Sequence, residues 1–249
     1  MDSKEAKKRM MEGRIYPPGD EEIMAEQVVC MQKLWEYNQI QPKDMDKRFA
    51  KLQDMFAEIG EGSYIEPPLH ANFGGKHVHF GKNVYANYNL TMVDDTHIYV
   101  GDNTMIGPNV TIATAGHPID PALRDVQAQF NMEVHIGRNV WIGGGCVLLP
   151  GVSIGDNTVI GAGSIVTKDI PANVVAYGNP CRVIREIGEH DRKYYYRDRK
   201  VGVEVKDGRT LSGLQFSFPY WTSGTHTETE PPPTQKSALP LSSSTMVCF

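Results

Sequence analysis

One histidine lies where the sequence pattern of the protein is broken. A regular six-residue spacing of aliphatic residues is interrupted between Ile112 and Ile136 by a loop that contains Gly116–His117–Pro118. Loops that leave a regular scaffold often carry function, and only His117 of the eight histidines lies in this loop. An imidazole titrates near physiological pH, so it can take the proton of a weak nucleophile such as a hydroxyl group. His117 is therefore a candidate general base, although most loop histidines in proteins are not catalytic.

The six-residue spacing organises the centre of the chain. A helix repeats near 3.6 residues and a strand near 2, so neither explains it. A short strand followed by a turn, repeated so that inward side chains stack, predicts a β-solenoid. The first row is aliphatic: Ile136, Ile142, Leu148, Ile154, Ile160 and Val166. A second row, two positions earlier, holds small or β-branched residues: Val134, Val140, Cys146, Val152, Thr158 and Ser164.

The same spacing occurs earlier in the chain. It is kept by three residues before a two-residue insertion at 94–96 and by three after it: Phe80, Ala86, Met92, Val100, Ile106 and Ile112. The solenoid is therefore expected to run from about Tyr64 to about Val183. Residues 183–196, which are charged and aromatic, are expected to form a closing helix.

Helical spacing is confined to the N-terminal part. The pattern predicts a helix over 3–12, a second that starts after Asp20 as N-cap and continues to Tyr37, and a third that follows Pro42 and ends at Gly60. Their apolar residues are expected to pack as core and to cover the open first coil of the solenoid. These residues are Ile23, Val28, Met31, Leu34, Trp35, Met45, Phe49, Leu52, Met55, Phe56 and Ile59.

Composition excludes several classes of protein. The net charge of −5 gives no basic surface for nucleic acid or an anionic membrane, and no apolar run has the length of a membrane span. The N-terminus, Met1 to Arg14, is highly charged and lacks an apolar stretch like that of a secretory signal. The four cysteines are scattered without paired spacing, so neither a disulfide framework nor a zinc site is expected. A reducing, cytoplasmic location is expected instead.

The sequence resembles the maltose/galactoside O-acetyltransferase group of the hexapeptide-repeat acyltransferases over about residues 5–200. The resemblance rests on many ordered motifs: Gly13–Arg14–Ile15–Tyr16, Tyr85–Ala86–Asn87–Tyr88–Asn89–Leu90–Thr91, Val93–Asp94–Asp95, Ile106–Gly107–Pro108–Asn109–Val110, Gly116–His117–Pro118, Asn139–Val140–Trp141–Ile142–Gly143, Pro150–Gly151–Val152, Gly161–Ala162–Gly163–Ser164 and Asn179–Pro180–Cys181–Arg182.

This resemblance implies a fold and an assembly. The family's fold is a left-handed parallel β-helix of triangular section, with three hexapeptides in each turn. It implies an N-terminal helical maltose-acetyltransferase-like domain over 1–60 and a β-helix acyltransferase domain over 61–188. A closing segment over 189–211 and a low-complexity, disordered tail over 212–249 are expected to follow. A homotrimer with active sites between neighbouring subunits is also implied.

The resemblance further implies a reaction and its residues. The family transfers an acetyl group from acetyl-CoA to a sugar hydroxyl, and His117 matches its catalytic position. Asn87, Asp95, Asp20 and Asn72 match residues that bind the sugar. Each has an ordinary alternative, such as amide stacking between coils for Asn87, a solvated turn for Asp95 and the N-cap alone for Asp20.

The expected acetyl-CoA contacts lie later in the chain. Ala162 and Thr167 match family contacts with the pantetheine arm, and Trp141 offers an apolar wall. Three basic side chains suit the nucleotide phosphates, although a surface cation is usually just solvated: Lys168, Arg182 and Arg185. A backbone N–H at Gly143–Gly144 could stabilise an oxyanion.

The sequence departs from the family at two of these positions. Family members often have serine at Gly144, which leaves only its main chain for this role. Galactoside-type members have a substrate-contacting methionine where this chain has Gln129. The acceptor preference of this chain is therefore expected to differ.

Three alternatives remain from the sequence. A related β-helix serves zinc-dependent carbonic anhydrases, but no two histidines here have the five-residue spacing of their ligands, which disfavours a metal. The acceptor could instead be serine, a xenobiotic or a chitin-like oligosaccharide. A non-catalytic scaffold is the third, and the presence of His117, Asn87 and Trp141 argues against it.

Overall fold

A computed structural model describes residues 1–203, 205–206 and 210–211. The predicted tail over 212–249 lies outside these residues. Residues 1–190 form one compact unit, and a second unit begins at Asp191. The predicted domain boundaries at 60, 188 and 211 stay predictions.

The described residues form five helices of 5 to 18 residues and many strands of two to five residues. The helices are α1 (Ser3–Met11), α2 (Glu21–Asn38), α3 (Met45–Met55), α4 (Pro121–Asp125) and α5 (Glu189–Lys193). The strands are β1 (Glu58–Ile59), β2 (Tyr64–Ile65), β3 (Leu69–Ala71), β4 (Val78–Phe80), β5 (Tyr85–Ala86), β6 (Leu90–Val93), β7 (Ile98–Val100), β8 (Met105–Ile106), β9 (Thr111–Ala113), β10 (Ala115–Gly116), β11 (Phe130–Asn131), β12 (Val134–Ile136), β13 (Trp141–Ile142), β14 (Val147–Leu148), β15 (Ser153–Ile154), β16 (Val159–Ile160), β17 (Ile165–Val166), β18 (Val174–Tyr177), β19 (Arg182–Glu186), β20 (Tyr194–Tyr196), β21 (Arg199–Lys200), β22 (Val205–Lys206) and β23 (Thr210–Leu211).

Most strands of the first unit stack into three sheets, one for each side of a solenoid, and their pairing is parallel except where β19 joins β18. The first face has the order β1-β4-β7-β12-β15, the second β19-β18-β16-β13-β8-β5-β2, and the third β17-β14-β9-β6-β3. The chain visits the second face, then the third, then the first. Ile136 pairs with Ile154, Ile142 with Ile160 and Leu148 with Val166, so one coil takes three six-residue units. The predicted β-solenoid is confirmed.

The interior holds the two rows that the sequence predicts. Every residue of both rows between 134 and 166 is at most 3% exposed, and so are the six earlier residues that keep the spacing. The apolar residues among them belong to one continuous hydrophobic core that extends from the helices to Val174 and Ala176. Burial of this stacked column is the main stabilising contribution to the fold.

The corners of the solenoid are held by asparagines in the left-handed conformation. Asn139, Asn157 and Asn173 have φ between 54° and 61°, a region that asparagine tolerates better than most residues. Their side-chain amides form a ladder, with each Nδ2 donating to the Oδ1 of the next coil at 3.0 Å. Similar pairs join Asn83 to Asn103 and Asn89 to Asn109.

The helices cover the first coil, as the sequence predicts. Leu34, Tyr37 and Leu52 belong to the same core as the strands. The Tyr37 hydroxyl donates to the carbonyl of Ile65 at 2.6 Å. Asn38 also pairs with both the N–H and the carbonyl of Leu69, at 2.8 Å each. The open end of the column is thereby both buried and hydrogen-bonded.

The predicted core stripe of α2 is partly wrong. Ile23, Leu34 and Tyr37 are buried, but Val28, Met31 and Trp35 are exposed in the chain by 62%, 51% and 60%. A single helix can direct only one side toward the coil that it covers. These three residues lie outside that side.

Two predicted helix limits are also wrong. The third helix ends at Met55, because Phe56 is extended and Glu58–Ile59 instead pair with the first face. The predicted helix over 183–196 is wrong for most of its length. The residues of β19 pair antiparallel with β18, and only Glu189–Lys193 are helical.

The second unit contains two small antiparallel strand pairs, β20 with β21 and β22 with β23. Helix α5 runs across the boundary between the units. None of the helices in the described part of the chain is long and apolar enough to cross a membrane.

The asparagine corners predict a measurable difference between two substitutions. Asn157→Ala removes two amide hydrogen bonds and places alanine at positive φ, which should cost roughly 2 kcal/mol of unfolding free energy. Asn157→Gly removes the same amide, but glycine accepts this conformation, so its loss should be about 1 kcal/mol smaller. Urea denaturation of both variants measures the difference. Equal losses would show that backbone conformation does not limit these corners.

Candidate active site

The loop that carries His117 is an ordered excursion from the third face. It leaves after β9, and its two ends pair as β10 and β11 in antiparallel register. Helix α4 lies between them, with Asp120 as its N-cap. The N-terminal segment holds the returning end, because Tyr16 and Gln129 exchange two backbone hydrogen bonds of 2.9 and 3.1 Å. The loop thus has a defined conformation.

His117 has a hydrogen bond that fixes its tautomer. Its Nδ1 lies 2.9 Å from the carbonyl oxygen of Ala128. A carbonyl oxygen can only accept, so Nδ1 carries the hydrogen and Nε2 of the neutral ring keeps its lone pair. The side chain is exposed and borders a cavity of about 490 Å³, lined also by Pro18, Arg124 and Gln127. In the neutral ring, this arrangement leaves Nε2 without a hydrogen, on a side chain that borders an open space.

Asp95 and Asn72 meet at the corner from which the loop emerges. Asn72 Nδ2 donates to Asp95 Oδ2 at 2.9 Å, and Gln129 Nε2 donates to Oδ1 at 2.9 Å. Asp95 is 6% exposed, so the alternative of a solvated turn is wrong. Gln129 is 7% exposed and contacts the carboxylate rather than lying open as a separate surface residue.

Asp20 is the N-cap of α2, as its place in the sequence predicts. Its Oδ1 accepts from the N–H groups of Glu22 and Ile23, and its Oδ2 accepts from the Ser3 hydroxyl. Desolvation raises the pKa of this carboxyl, but the hydrogen bonds from Ser3 and the two amides lower it by more. The net pKa lies below its usual value, so the group is a stable carboxylate.

A second group of candidates lies at a different corner, between the second and third faces. The side chain of Asn87 accepts from the N–H of Tyr88 at 2.7 Å and takes no part in the corner ladders. At the same corner, two coils further on, the Gly143 N–H donates to Ile160 and is used by coil stacking. The Gly144 N–H has no acceptor among the described residues. The main-chain donor predicted for this region is therefore at Gly144.

The surface around this corner is formed by apolar residues and by residues with small side chains. Trp141 is 42% exposed on the second face, beside the exposed Met105 of the preceding coil. Ala162 is exposed, and a β-carbon added at Gly145 or Gly163 would meet no atom within 4 Å. An extended, flexible arm could therefore lie against the backbone here, which fits the pantetheine of coenzyme A.

Two of the predicted basic residues lie beyond this surface. Arg182 and Arg185 are exposed on β19, which is the last strand of the second face. Their guanidinium groups donate to the backbone carbonyls of Cys181 and Glu186. Thr167 and Lys168 instead follow β17, at the corner between the third and first faces.

The structure thus separates the predicted site residues into two groups. His117, Asn72 and Asp95 belong to the corner between the third and first faces. Asn87 and Gly144 belong to the corner between the second and third. The intervening face has strands of up to four residues, or about 13 Å at 3.3 Å per residue. The two corners therefore face different directions.

Sequence reasoning missed part of this geometry. It did not assign a partner to the His117 ring, because the carbonyl of Ala128 carries no side-chain signal. Tyr16 and Asn131 also contact the predicted site residues, with hydrogen bonds to Gln129. In the sequence, Tyr16 belongs only to a family motif, and no local pattern marks Asn131.

Comparison with known proteins agrees with this architecture. The family described as "Bacterial transferase hexapeptide (six repeats)" matches residues 133–168. The "Maltose acetyltransferase hexapeptide capping motif" matches residues 9–60. The first range lies within the coils of the solenoid, and the second spans α2 and α3.

Individual relatives extend the similarity over most of the chain. The chain is 50% identical over 200 residues to a galactoside O-acetyltransferase of Lactococcus lactis, which covers 80% of this chain and 97% of the relative. A galactoside acetyltransferase solved in complex with coenzyme A has a TM-score of 0.76 and 45% identity, covering 79% of this chain and 98% of that one. A hexapeptide-repeat acetyltransferase of Vibrio cholerae complexed with acetyl coenzyme A has a TM-score of 0.68 and 31% identity, covering 73% and 98%. The chain belongs to the maltose/galactoside O-acetyltransferase group of the hexapeptide-repeat acyltransferases.

Proposed function

We propose that the protein is an acetyl-CoA-dependent O-acetyltransferase that acetylates a hydroxyl of a sugar, with His117 as general base. The observation that carries this proposal is the hydrogen bond from His117 Nδ1 to Ala128, which leaves Nε2 as a proton acceptor beside an open cavity. The relatives named above support the substrate class.

His117 first accepts a proton from the acceptor hydroxyl and later donates it to the leaving thiolate. Acetyl-CoA supplies an activated thioester carbonyl. Nε2 takes the hydroxyl proton of the acceptor while the acceptor oxygen forms a bond to the carbonyl carbon. When the carbon–sulfur bond breaks, Nε2–H returns that proton to the departing thiolate. Ala128 stabilises the imidazolium between these steps, since its carbonyl accepts from Nδ1 throughout.

The Gly144 N–H stabilises the charge that develops on the carbonyl oxygen. A fixed backbone donor is effective because it needs no reorganisation when the charge appears, and loss of one such donor typically costs about 10²–10³ in rate. Its lack of an acceptor among the described residues supports this role. Trp141 and Ala162 contact the pantetheine arm and Arg182 and Arg185 contact the phosphates from one copy of the chain. Thr167 and Lys168, which lie at the other corner, contact the same molecule from the neighbouring copy.

The acceptor lies near Asp95. Asp95 accepts hydrogen bonds from its hydroxyl groups, and Asn72 donates hydrogen bonds to them. The Asp20 carboxylate already accepts hydrogen bonds from Ser3 and Glu22, so Asp20 contributes to acceptor binding by fixing the start of α2. Asn87 completes the site from a second copy of the chain. The separation of the two corners supports this division and the homotrimer that the family resemblance implies.

The first prediction concerns the reaction itself. Thiol release from acetyl-CoA should depend on a sugar when glucose, maltose and a galactoside are tested, with serine and chloramphenicol as the non-sugar acceptors. Turnover with serine or chloramphenicol alone would replace the sugar class. Absence of turnover together with absence of acetyl-CoA binding would favour a non-catalytic scaffold.

The second prediction concerns the base. His117→Ala should lower kcat by about 10²–10⁴ and leave the fold unchanged, because only the proton acceptor is lost. His135→Ala is the matched control, since His135 is exposed on the first face. Steady-state kinetics and circular dichroism measure both variants. A near-normal rate for His117→Ala would remove it as the base.

The third prediction tests the division of the site between copies. His117→Ala and Asn87→Ala should each be nearly inactive alone. When the two are co-expressed, about a quarter of the sites receive both intact residues if each site uses two neighbouring subunits at random. Activity should then recover to about a quarter of the wild-type value per site. Failure to recover would place both residues within one chain's site.

A further inference from the structure

A buried tyrosine hydroxyl joins the N-terminal segment to the loop of His117. Tyr16 is 2% exposed. Its hydroxyl oxygen accepts from Gln129 Nε2 at 2.7 Å and from Asn131 Nδ2 at 3.1 Å. A phenol oxygen has two lone pairs, so both are engaged by the two amides. We refer to Tyr16, Asp95, Gln129 and Asn131 as the Tyr16 cluster.

The orientation of both amides is determined by groups that can only accept. Gln129 Nε2 also lies 2.9 Å from a carboxylate oxygen of Asp95. Asn131 Nδ2 also lies 3.1 Å from the carbonyl of Met10, in α1. Neither a carboxylate nor a carbonyl can donate, so the NH₂ groups must point this way. Each amide then has a hydrogen available for the Tyr16 oxygen.

The cluster is connected to His117 through the backbone. Tyr16 and Gln129 exchange two main-chain hydrogen bonds. The residue before Gln129 is Ala128, whose carbonyl accepts from His117 Nδ1. The position of that carbonyl, and hence the direction of Nε2, therefore depends on how firmly Tyr16 holds the returning strand of the loop.

The cluster is connected to the acceptor region through Asp95. One carboxylate oxygen accepts from Gln129 and the other from Asn72. The Asn131 amide also approaches the backbone carbonyl of Asp95, at 3.4 Å. The same buried hydroxyl thus supports both the proposed base and the proposed acceptor-binding carboxylate.

We propose that Tyr16 and Asn131 are positioning residues of this enzyme, which set the relative placement of the His117 ring and the Asp95 carboxylate. The proposal rests on the proposed function. Neither side chain needs to touch the substrates, because Tyr16 and Asn131 are both buried.

Tyr16 is not a proton carrier in this arrangement. Burial raises the pKa of its phenol far above the usual value, and the nearby charge of Asp95 raises it further. The phenol stays neutral at working pH. Its removal should change geometry without adding or removing a titrating group.

The test compares two tyrosine-to-phenylalanine substitutions. Tyr16→Phe removes the hydroxyl of the cluster and leaves two amides without that acceptor. Tyr37→Phe is the matched control, because it also removes a buried hydroxyl, one that donates to Ile65 in the helical cap. Asn131→Ala is a second variant of the cluster.

Tyr16→Phe should lower kcat/KM for the sugar acceptor by about 10- to 100-fold, as expected for a small misplacement of reacting groups. The KM for acetyl-CoA and the pH profile should stay unchanged. Hydrogen–deuterium exchange of residues 117–131 should become faster. Asn131→Ala should act in the same direction, and Tyr37→Phe should alter neither the acceptor kinetics nor this exchange.

Equal kinetics and equal loop exchange in Tyr16→Phe and Tyr37→Phe would overturn the proposal. So would a loss of kcat that equals the measured loss of folded protein, with unchanged loop exchange in the folded fraction, since this indicates only less folded enzyme. If the wild-type protein transfers no acetyl group to any sugar, the proposed function fails. The exchange measurement would then still decide whether the cluster holds the loop.

Discussion

Each coil of the solenoid lies on the next through backbone hydrogen bonds at strand spacing, and this spacing leaves little room at the corners. A β-carbon at Gly143 would lie 2.5 Å from the backbone nitrogen of Ala162, and one at Gly137 would lie 2.7 Å from that of Asp156. Both distances are shorter than real contacts allow. At nearby corner positions the chain must turn sharply. Asparagines allow this turn because they adopt the left-handed region, and they also bond to one another across coils. The strands stay in register because the corner asparagines bond from coil to coil.

This regularity determines where function can be placed. Inward positions are filled by the core, and corner positions are constrained by the next coil. Chemistry is therefore available only on outward side chains, on a free corner N–H such as that of Gly144, or on a segment that leaves the coil. The His117 loop is such a segment, and it has its own hydrogen bonds to the N-terminal part of the chain. The coils thus position site residues by their regular stacking, and the loop positions His117 by its own hydrogen bonds.

The sequence was sufficient for the features that repeat. The two inward rows, the excursion after Ile112 and the N-cap at Asp20 all follow from residue type and spacing, because local geometry dictates them. It failed where two structures compete for the same residues. Glu58–Ile59 continue a helical pattern, yet pairing with β4 gives their backbone better partners. Val28, Met31 and Trp35 have core-like character, but which side of a helix is covered depends on distant coils. The partners of Tyr16 are distant as well, so no local pattern reveals them.

The Tyr16 hydrogen bonds have a consequence for how the chain reaches its native state. Most coil contacts join residues about one coil apart, such as Ile136 with Ile154, so the solenoid can grow by short-range steps. The hydrogen bonds that Gln129 and Asn131 donate to the Tyr16 hydroxyl oxygen span 113 and 115 residues. During synthesis, the N-terminal segment is made before several coils of the solenoid. It cannot form these hydrogen bonds until Gln129 and Asn131 have been synthesised. Its docking is a long-range event of high contact order, so we expect the geometry of the proposed active site to be completed late in folding, after the scaffold beneath it.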